Sequence, residues 1–268
     1  MTTRPVSATE LPASVGNAAL AWLAGWWRTL HLGALVLVLA LSPSSYERDN
    51  RLALARHIVL DTAPVLAWFT LLSALVSLVV IRIVVTTALS YGLTQYALEM
   101  LVRVLVLELI PLTAALFVAL RCTIPSGAEL ARLRFRGEFE AQRARGIDPV
   151  RREVMPRVVA GMVAVLLLAA VSCVVALVLS YLGVYGFTRG GLAGYVRVVG
   201  QIFNPAVALV FAVKTLFLSL AVSLIPMTAG GYGVLAKGMR TRADLQGLVR
   251  LFVVVLLIEA VSLMGNYY

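Results

Sequence analysis

A strongly cationic segment between two long apolar runs constrains the fold of this chain more than any other feature. The segment covers residues 126–157 and contains eight arginines, with apolar runs at 100–120 before it and 158–182 after it. Each run is long enough to cross a bilayer as a helix. Because lysine and arginine close to a span resist translocation, the segment is predicted to be cytoplasmic and to fix the orientation of the helices around it.

The composition predicts an all-α polytopic membrane protein. Hydrophobic residues make up 61% of the 268-residue chain, and the mean hydropathy is +0.94. A soluble domain does not carry several apolar runs of membrane-spanning length. The net charge of +10 lies mostly in loops beside these runs, where it favours membrane orientation and contact with anionic lipid over nucleic-acid binding.

The sequence divides into three regions. Residues 1–16 are predicted to be a disordered N-terminus without a cleaved signal peptide. Residues 17–57 are predicted to form a tryptophan-rich interfacial helix and a charged cytoplasmic turn, although a first membrane span fits the length of this helix nearly as well. Residues 58–268 are predicted to form the transmembrane domain, with five spans at about 58–88, 97–122, 158–182, 203–225 and 251–265.

The cationic segment is predicted to be a structured docking element, a cytoplasmic coupling helix between the second and third spans. Residues 128–145 are predicted to form one short helix with an apolar side around Leu130. Gly146 suits the position that follows the end of such a helix. Asp148 suits the N-cap of the next helix, and Pro149 suits its first position.

Several charged side chains fall inside the apolar runs, where each costs roughly 2.5–3.5 kcal/mol on insertion scales. Glu99 and Arg103 are four residues apart, so a local ion pair is the simplest account. Glu108 and Lys214 have no obvious local partner, so they either pair across two spans or line a polar cavity, and the two alternatives are compatible. The whole set comprises Arg82, Glu99, Arg103, Glu108, Arg121, Lys214 and Glu259.

The sequence contains no pattern typical of a catalytic or metal site. It lacks the Walker A, HExxH and GxSxG patterns. Nothing near His31 or His57 suggests metal binding, and Cys122 and Cys173 are predicted to be small buried residues within spans. These observations favour a transport subunit without its own ATPase site over an intramembrane enzyme.

The segment 108–161 resembles the MlaE/YrbE family of ABC-transporter permeases. The family pattern Glu-Leu-Gly-Pro is approximated at residues 108–111, and its Gly-Ile-Asp-Pro pattern is present at 146–149. The family's Pro-Arg pair is matched at 156–157, and its Lys-Ser pair is approximated at 214–215. The likeness is strong over the cationic segment and weak at the N-terminus.

The resemblance implies a homodimeric permease in the bacterial inner membrane, with a cytoplasmic N-terminus and a periplasmic C-terminus. It implies a separate ABC ATPase that binds ATP and Mg²⁺, an MCE-domain partner, and phospholipid or a related lipid as the transported molecule; no cofactor is expected in this chain. The candidate residues of the lipid-headgroup cavity are Glu108, Lys214, Arg103 and Glu99. The candidate ATPase-coupling residues are Glu129, Arg132, Arg136, Glu138, Glu140, Arg143, Gly146, Asp148 and Pro149.

The chain also departs from the family pattern. Leu107 stands where the family often has arginine, and Ile110 and Leu120 stand where it has glycine. These departures keep open a non-transporting scaffold that anchors an MCE protein. A stand-alone secondary carrier that uses the intramembrane charges is the other alternative, although no inverted repeat is visible.

Overall fold

The computed structural model describes residues 10–42, 48–232 and 240–267, and the elements in these ranges are helical. Within this part of the chain, five helices are long and apolar enough to cross a membrane. The prediction of an all-α polytopic membrane protein with five spans is therefore confirmed. The spans are Thr62–Ser90, Tyr96–Phe135, Val150–Tyr185, Pro205–Thr228 and Gln246–Gly265.

The first two helices begin earlier than predicted. Helix α1 is Glu10–Leu41 and so includes residues 10–16 of the N-terminus predicted to be disordered over 1–16, whereas residues 1–9 lie outside the described ranges. Pro12 lies in the first turn of α1, where its missing N–H has no intrahelical role. Helix α2 is Arg48–Ser90, so most of the predicted cytoplasmic turn is helical, since the sequence after Arg48 is rich in the good helix formers leucine, alanine and arginine.

The second span is one continuous helix that widens twice. Between its α-helical parts lie two stretches of π-helix, in which each N–H bonds five residues back. A third π stretch begins the third span. The segments of the second span are α3 (Thr94–Leu101), π (Val102–Leu109), α4 (Ile110–Val118), π (Ala119–Thr123) and α5 (Ile124–Phe135). Those of the third span are π (Val150–Val154) and α7 (Met155–Tyr185).

Each π stretch ends two residues before a proline. The stretches end at Leu109, Thr123 and Val154, and the prolines are Pro111, Pro125 and Pro156. Proline has no N–H to donate, and its ring clashes with the carbonyl four residues earlier. A wider turn relieves that clash while the helix continues, which accounts for the three positions.

Helix α9 (Pro205–Tyr232) continues through Pro226, where the sequence predicted the end of the fourth span. Pro226 leaves the carbonyl of Val222 without its usual backbone donor. The hydroxyl of Thr123 donates to that carbonyl over 2.9 Å. A side chain from the second span thus satisfies the backbone group that proline exposes, and this is how membrane helices tolerate an internal proline.

The cationic segment contains two helices where one was predicted. Helix α5 ends at Phe135, and α6 is Glu138–Ala144. Between them Gly137 has a φ of 74°, a left-handed conformation that favours glycine and that breaks the predicted helix over 128–145. Gly146 has a φ of 75°, so the predicted end of the helix is confirmed. The backbone N–H of Val150 donates to Asp148 Oδ1 over 3.0 Å, which confirms the predicted N-cap.

The glycine-rich linker after the third span contains a helix that the sequence did not predict. Helix α8 (Leu192–Ile202) follows a short 3₁₀ turn at Arg189–Gly191. Tyr195 anchors it by donating to the carbonyl of Leu177 over 2.8 Å. Burial raises the pKa of Tyr195, so its phenol stays protonated and can act as this donor.

Helix α7 lies at the centre of the bundle and packs against α2, α4 and α9. Helix α10 (Arg240–Tyr267) packs along α9. Helix α1 packs through Leu32 and Val36 on the apolar cluster that also contains Leu130 and Met227. The N-terminal helix therefore rests on the cationic segment as well as on the fourth span.

Candidate functional site

A buried lysine joins three transmembrane helices. Lys214 on α9 pairs with Glu108 in the first π stretch and with Glu259 on α10, whose Oε2 lies 2.6 Å from the lysine Nζ. The three side chains expose only 1%, 15% and 11% of their surfaces, in that order. Of the two alternatives for Glu108 and Lys214, the structure shows the pairing across spans, and Glu259 completes what we call the triad.

The lysine ammonium has a further partner in the backbone. Lys214 donates to the carbonyl of Leu107 over 3.2 Å. Pro111 has no N–H for either carbonyl that it would reach, Val106 five residues back in a π-helix or Leu107 four residues back in an α-helix. Next to it, the carbonyl of Val106 accepts from the thiol of Cys173 over 3.7 Å. Two backbone carbonyls shortly before the proline therefore accept hydrogen bonds from side chains of two other helices, α9 and α7.

The triad lies beside an apolar groove between α9 and α10. The groove has a volume of about 460 Å³, and Lys214 and Ser262 are the polar side chains in its wall. The spacing of the lining residues is the same on both helices, so each contributes one face along about two turns. The lining is Leu209, Val210, Val213, Lys214, Phe217, Leu257, Ile258, Val261, Ser262 and Gly265.

Two buried side-chain oxygen atoms on α10 lack a geometric hydrogen bond to the described residues. They are Oε1 of Glu259 and Oγ of Ser262, and the two residues are 9% and 6% exposed. They lie three residues apart on α10 and hence on the same face of that helix. Ser262 lies in the wall of the groove, whereas the carboxyl of Glu259 interacts with Lys214 and Glu108.

The remaining two residues of the predicted headgroup cavity form a separate pair. Arg103 donates to Glu99 Oε1 over 3.0 Å, which confirms the predicted local ion pair. The pair is partly exposed and lies about two turns from Glu108 along the same helix. The structure therefore brings Glu108 and Lys214 together but leaves Glu99 and Arg103 outside the triad.

A second buried charge fixes the cationic segment to the third span. Arg157, only 5% exposed, donates to the carbonyl of Glu153 over 2.7 Å and to its Oε2 over 2.6 Å. Its other terminal nitrogen lies 3.8 Å from Glu129 Oε2 on α5. Gln142 on α6 donates to Glu153 over 3.3 Å. The Arg157–Glu153 pair thus connects the start of the third span with α5 through Glu129 and with α6 through Gln142.

Most of the candidate coupling residues project from the surface of the segment. Glu138 is partly buried, and its Oε1 lies 4.0 Å from Nη1 of Arg136. Pro149 is buried in the turn before the third span. Gly146 and Asp148 shape that turn, as described above. The exposed charged residues of the set are Glu129, Arg132, Arg136, Glu140, Arg143 and Asp148.

The sequence alone did not assign several residues of these two sites. Glu259 was recognised as a costly intramembrane charge, but nothing local pointed to its partner. Ser262 gave no signal, because serine is common in membrane helices. Arg157 was matched to a family motif, although its contact with Glu129 depends on the fold.

The sequence profile of the permease MlaE family matches residues 54–264, which is most of the chain. The chain belongs to the MlaE permease family. No curated protein matches it at a significant level. Together with the five spans, the family makes this chain a multi-pass membrane protein and a permease subunit of a lipid-transporting ABC system.

Proposed function

We propose that this MlaE-family chain forms a homodimer in a bacterial inner membrane and moves phospholipid between membranes. A separate ABC ATPase would supply the energy, and an MCE-domain protein would exchange lipid with the permease. One observation carries the proposal. A buried network of one lysine and two carboxylates lies beside an apolar groove that is open on the side of the bundle.

The groove has the mixed chemistry that a lipid requires. Its aliphatic and aromatic wall suits acyl chains, whereas Lys214 of the triad and Ser262 place polar side chains in the same wall. Charged residues inside membrane spans are costly, and they typically mark substrate pathways. The volume of about 460 Å³ suits part of a lipid, in keeping with a site that a second copy of the chain would complete.

The cationic segment has the features of a coupling element for a cytoplasmic ATPase. Its charged side chains are exposed, while Arg157 ties its base to the third span. A movement imposed on α5 would therefore reach α7 through the contact of Arg157 with Glu129, and one imposed on α6 through the bond of Gln142 to Glu153. The excess of arginine favours a cytoplasmic location, with the N-terminus on the same side and the C-terminus in the periplasm.

The first test is purification of the tagged full-length chain in mild detergent, followed by mass spectrometry of the bound proteins and lipids. We expect an ABC ATPase, an MCE-domain protein and phospholipid to co-purify. An MCE protein without an ATPase would favour a scaffold. A chain that is alone but supports ion-coupled flux in vesicles would favour a secondary carrier.

A second test addresses the coupling surface. The double substitution Glu138→Lys with Glu140→Lys reverses two charges on α6 and should abolish association with the ATPase. Because Glu140 is exposed and Glu138 is partly so, we expect an unchanged melting temperature and unchanged lipid content. Co-purification of the ATPase at the wild-type level would contradict the assignment of α6 as the docking surface.

A further inference from the structure

Two arginines from different helices come together where the N-terminal helix meets the fifth span. The guanidinium of Arg250, near the start of α10, lies against Gly25 of α1, where an added Cβ would overlap both of its terminal nitrogens. Arg28 lies three residues after Gly25 and hence on a neighbouring part of the same helix surface. Its positive charge acts on Arg250. Each helix thus brings one cation to a shared place.

The described residues supply no carboxylate that forms an ion pair with either arginine. Nε of Arg250 is buried without a hydrogen-bond partner in the same part of the chain. Arg28 is exposed and Arg250 is partly exposed, so a ligand can reach the pair from outside the bundle. Like charges held close together are destabilising. An anion between the two guanidiniums would turn this repulsion into attraction.

Both arginines lie at the level where lipid headgroups are expected. The hydroxyl oxygen of Thr29, next to Arg28, is 3.4 Å from that of Thr228, the last residue of the fourth span. Arg250 lies four residues after the start of the fifth span. Trp27 is largely exposed, and tryptophan favours the interface between hydrocarbon and water. The anion that can reach this place most directly is therefore the phosphate of a lipid.

We infer that Arg28 and Arg250 bind the phosphate of an anionic phospholipid, of the phosphatidylglycerol class. Two guanidiniums offer forked donors that match phosphate oxygens, and such charge-assisted bonds are among the strong ones. Basic pockets between membrane helices are a recognised type of site for anionic headgroups. The bound lipid would bridge α1 and α10 and so hold the N-terminal helix to the bundle.

The surroundings favour an anionic lipid over a zwitterionic one. The ammonium of phosphatidylethanolamine would bring a third positive charge towards two arginines, whereas the glycerol headgroup brings none. Val253 and Leu257 follow Arg250 by three and seven residues, so they lie on the same side of α10, and both are exposed. They offer an apolar path on which an acyl chain can lie below the headgroup.

This site is separate from the triad and goes beyond the proposed function. Arg250 precedes Glu259 by nine residues, which is about 13 Å along α10. The lipid held there would be a fixed component of the permease rather than the transported molecule. Its binding requires neither a partner protein nor transport, so the test below can fail or succeed whatever the chain transports.

The test is a thermal shift of the purified full-length chain in nonionic detergent, followed by intrinsic fluorescence. Dioleoyl phosphatidylglycerol or dioleoyl phosphatidylethanolamine is added at equal concentration. We expect phosphatidylglycerol to raise the melting temperature by about 4 °C more than phosphatidylethanolamine does, because a ligand of the folded state stabilises it. We call this difference the anionic-lipid shift. Its absence in wild type would overturn the inference.

A water-soluble phosphate distinguishes a lipid from a free anion. Glycerol 3-phosphate carries the phosphate without acyl chains and should not shift the melting temperature at the same concentration. A shift equal to that with phosphatidylglycerol would assign the arginine pair to a soluble anion and would overturn the lipid assignment.

The effect of Arg28→Gln should change sign with lipid. Without lipid this variant should melt at or slightly above wild type, since a like-charge contact is removed, whereas with phosphatidylglycerol it should melt below wild type. Arg250→Gln should also lose most of the anionic-lipid shift. Gly25→Ala keeps both charges but places a methyl group where the Arg250 guanidinium lies, so it should reduce the shift as well. A wild-type shift in both arginine variants would overturn the inference.

The matched control is Arg56→Gln. Arg56 is an exposed arginine of α2 before the first span, and its substitution changes the net charge by the same amount as Arg28→Gln. The anionic-lipid shift should persist in this variant. An equal loss in Arg56→Gln and Arg28→Gln would show a general attraction of basic residues for anionic lipid, and it would overturn a site at the arginine pair.

Discussion

Lys214 donates a hydrogen bond to the backbone carbonyl of Leu107, on a different span, over 3.2 Å. Leu107 lies in the π stretch that ends two residues before Pro111, and Pro111 has no N–H to donate to it. A lysine of the fourth span thus bonds to the irregular backbone beside a proline of the second span. The carboxylates of Glu108 and Glu259 then gather around that charge, so the site originates in a backbone irregularity.

Replacing Lys214 with methionine should strongly destabilise the protein. The substitution leaves two carboxylates buried without their cation, and removing one partner of a buried ion pair costs roughly 3–5 kcal/mol. We expect a clear fall in the melting temperature in detergent. The triple variant Glu108→Gln, Lys214→Met and Glu259→Gln removes the charges together and should regain much of the lost stability. A melting temperature of Lys214→Met equal to that of wild type would contradict this account.

The hydroxyl of Thr123 should stabilise the proline-containing part of α9. Thr123→Val keeps the shape of the side chain but removes the donor to the Val222 carbonyl, which Pro226 leaves exposed. Such interhelical bonds contribute about 0.6–1.7 kcal/mol in membranes, so we expect a modest fall in melting temperature. Thr113→Val is the matched control, because the Thr113 hydroxyl bonds to carbonyls of its own helix. An equal effect of both substitutions would show that the interhelical bond contributes nothing specific.

Features encoded by local sequence could be predicted. The five spans follow from the length of the apolar runs, and the Glu99–Arg103 pair follows from its spacing of one helical turn. The turn at Gly146 and Asp148 follows from capping chemistry. Each of these depends on residues close together in the chain, where propensity and periodicity operate.

Features that depend on contacts between distant residues could not be predicted. The sequence showed that Glu259 needed a partner, but the partner lies 45 residues away on another helix. Pro226 looked like the end of a span, because the donor that compensates for it, Thr123, belongs to the second span. The π stretches before the prolines have the same origin, since a helix continues past a proline only where its neighbours satisfy the exposed carbonyls.

Gly127 should be required for the close approach of α5 to α9. A Cβ at this position would lie 2.5 Å from the carbonyl oxygen of Pro226, a backbone atom that cannot rotate away. Gly127→Ala should therefore separate the two helices and cost about 1–3 kcal/mol of stability, as overpacking typically does. Gly200→Ala on α8, where a Cβ would meet nothing within 4 Å, should be neutral or slightly stabilising. Equal melting temperatures for the two variants would contradict the close approach.

Arg157 should couple the cationic segment to the third span. Arg157→Met removes the contact of α7 with Glu129 on α5 and leaves Glu153, which binds Gln142 on α6, without its cation. In the reconstituted complex we expect the ATPase to remain bound, since the exposed charges persist, but lipid transfer per ATP hydrolysed to fall at least several-fold. Arg157→Lys should recover part of the coupling, because it keeps the charge but not the forked geometry. Arg145→Met, which removes an exposed arginine of the same segment, is the control and should leave the ratio unchanged. If Arg157→Met transferred lipid at the wild-type ratio, the ion pair would have a structural role only.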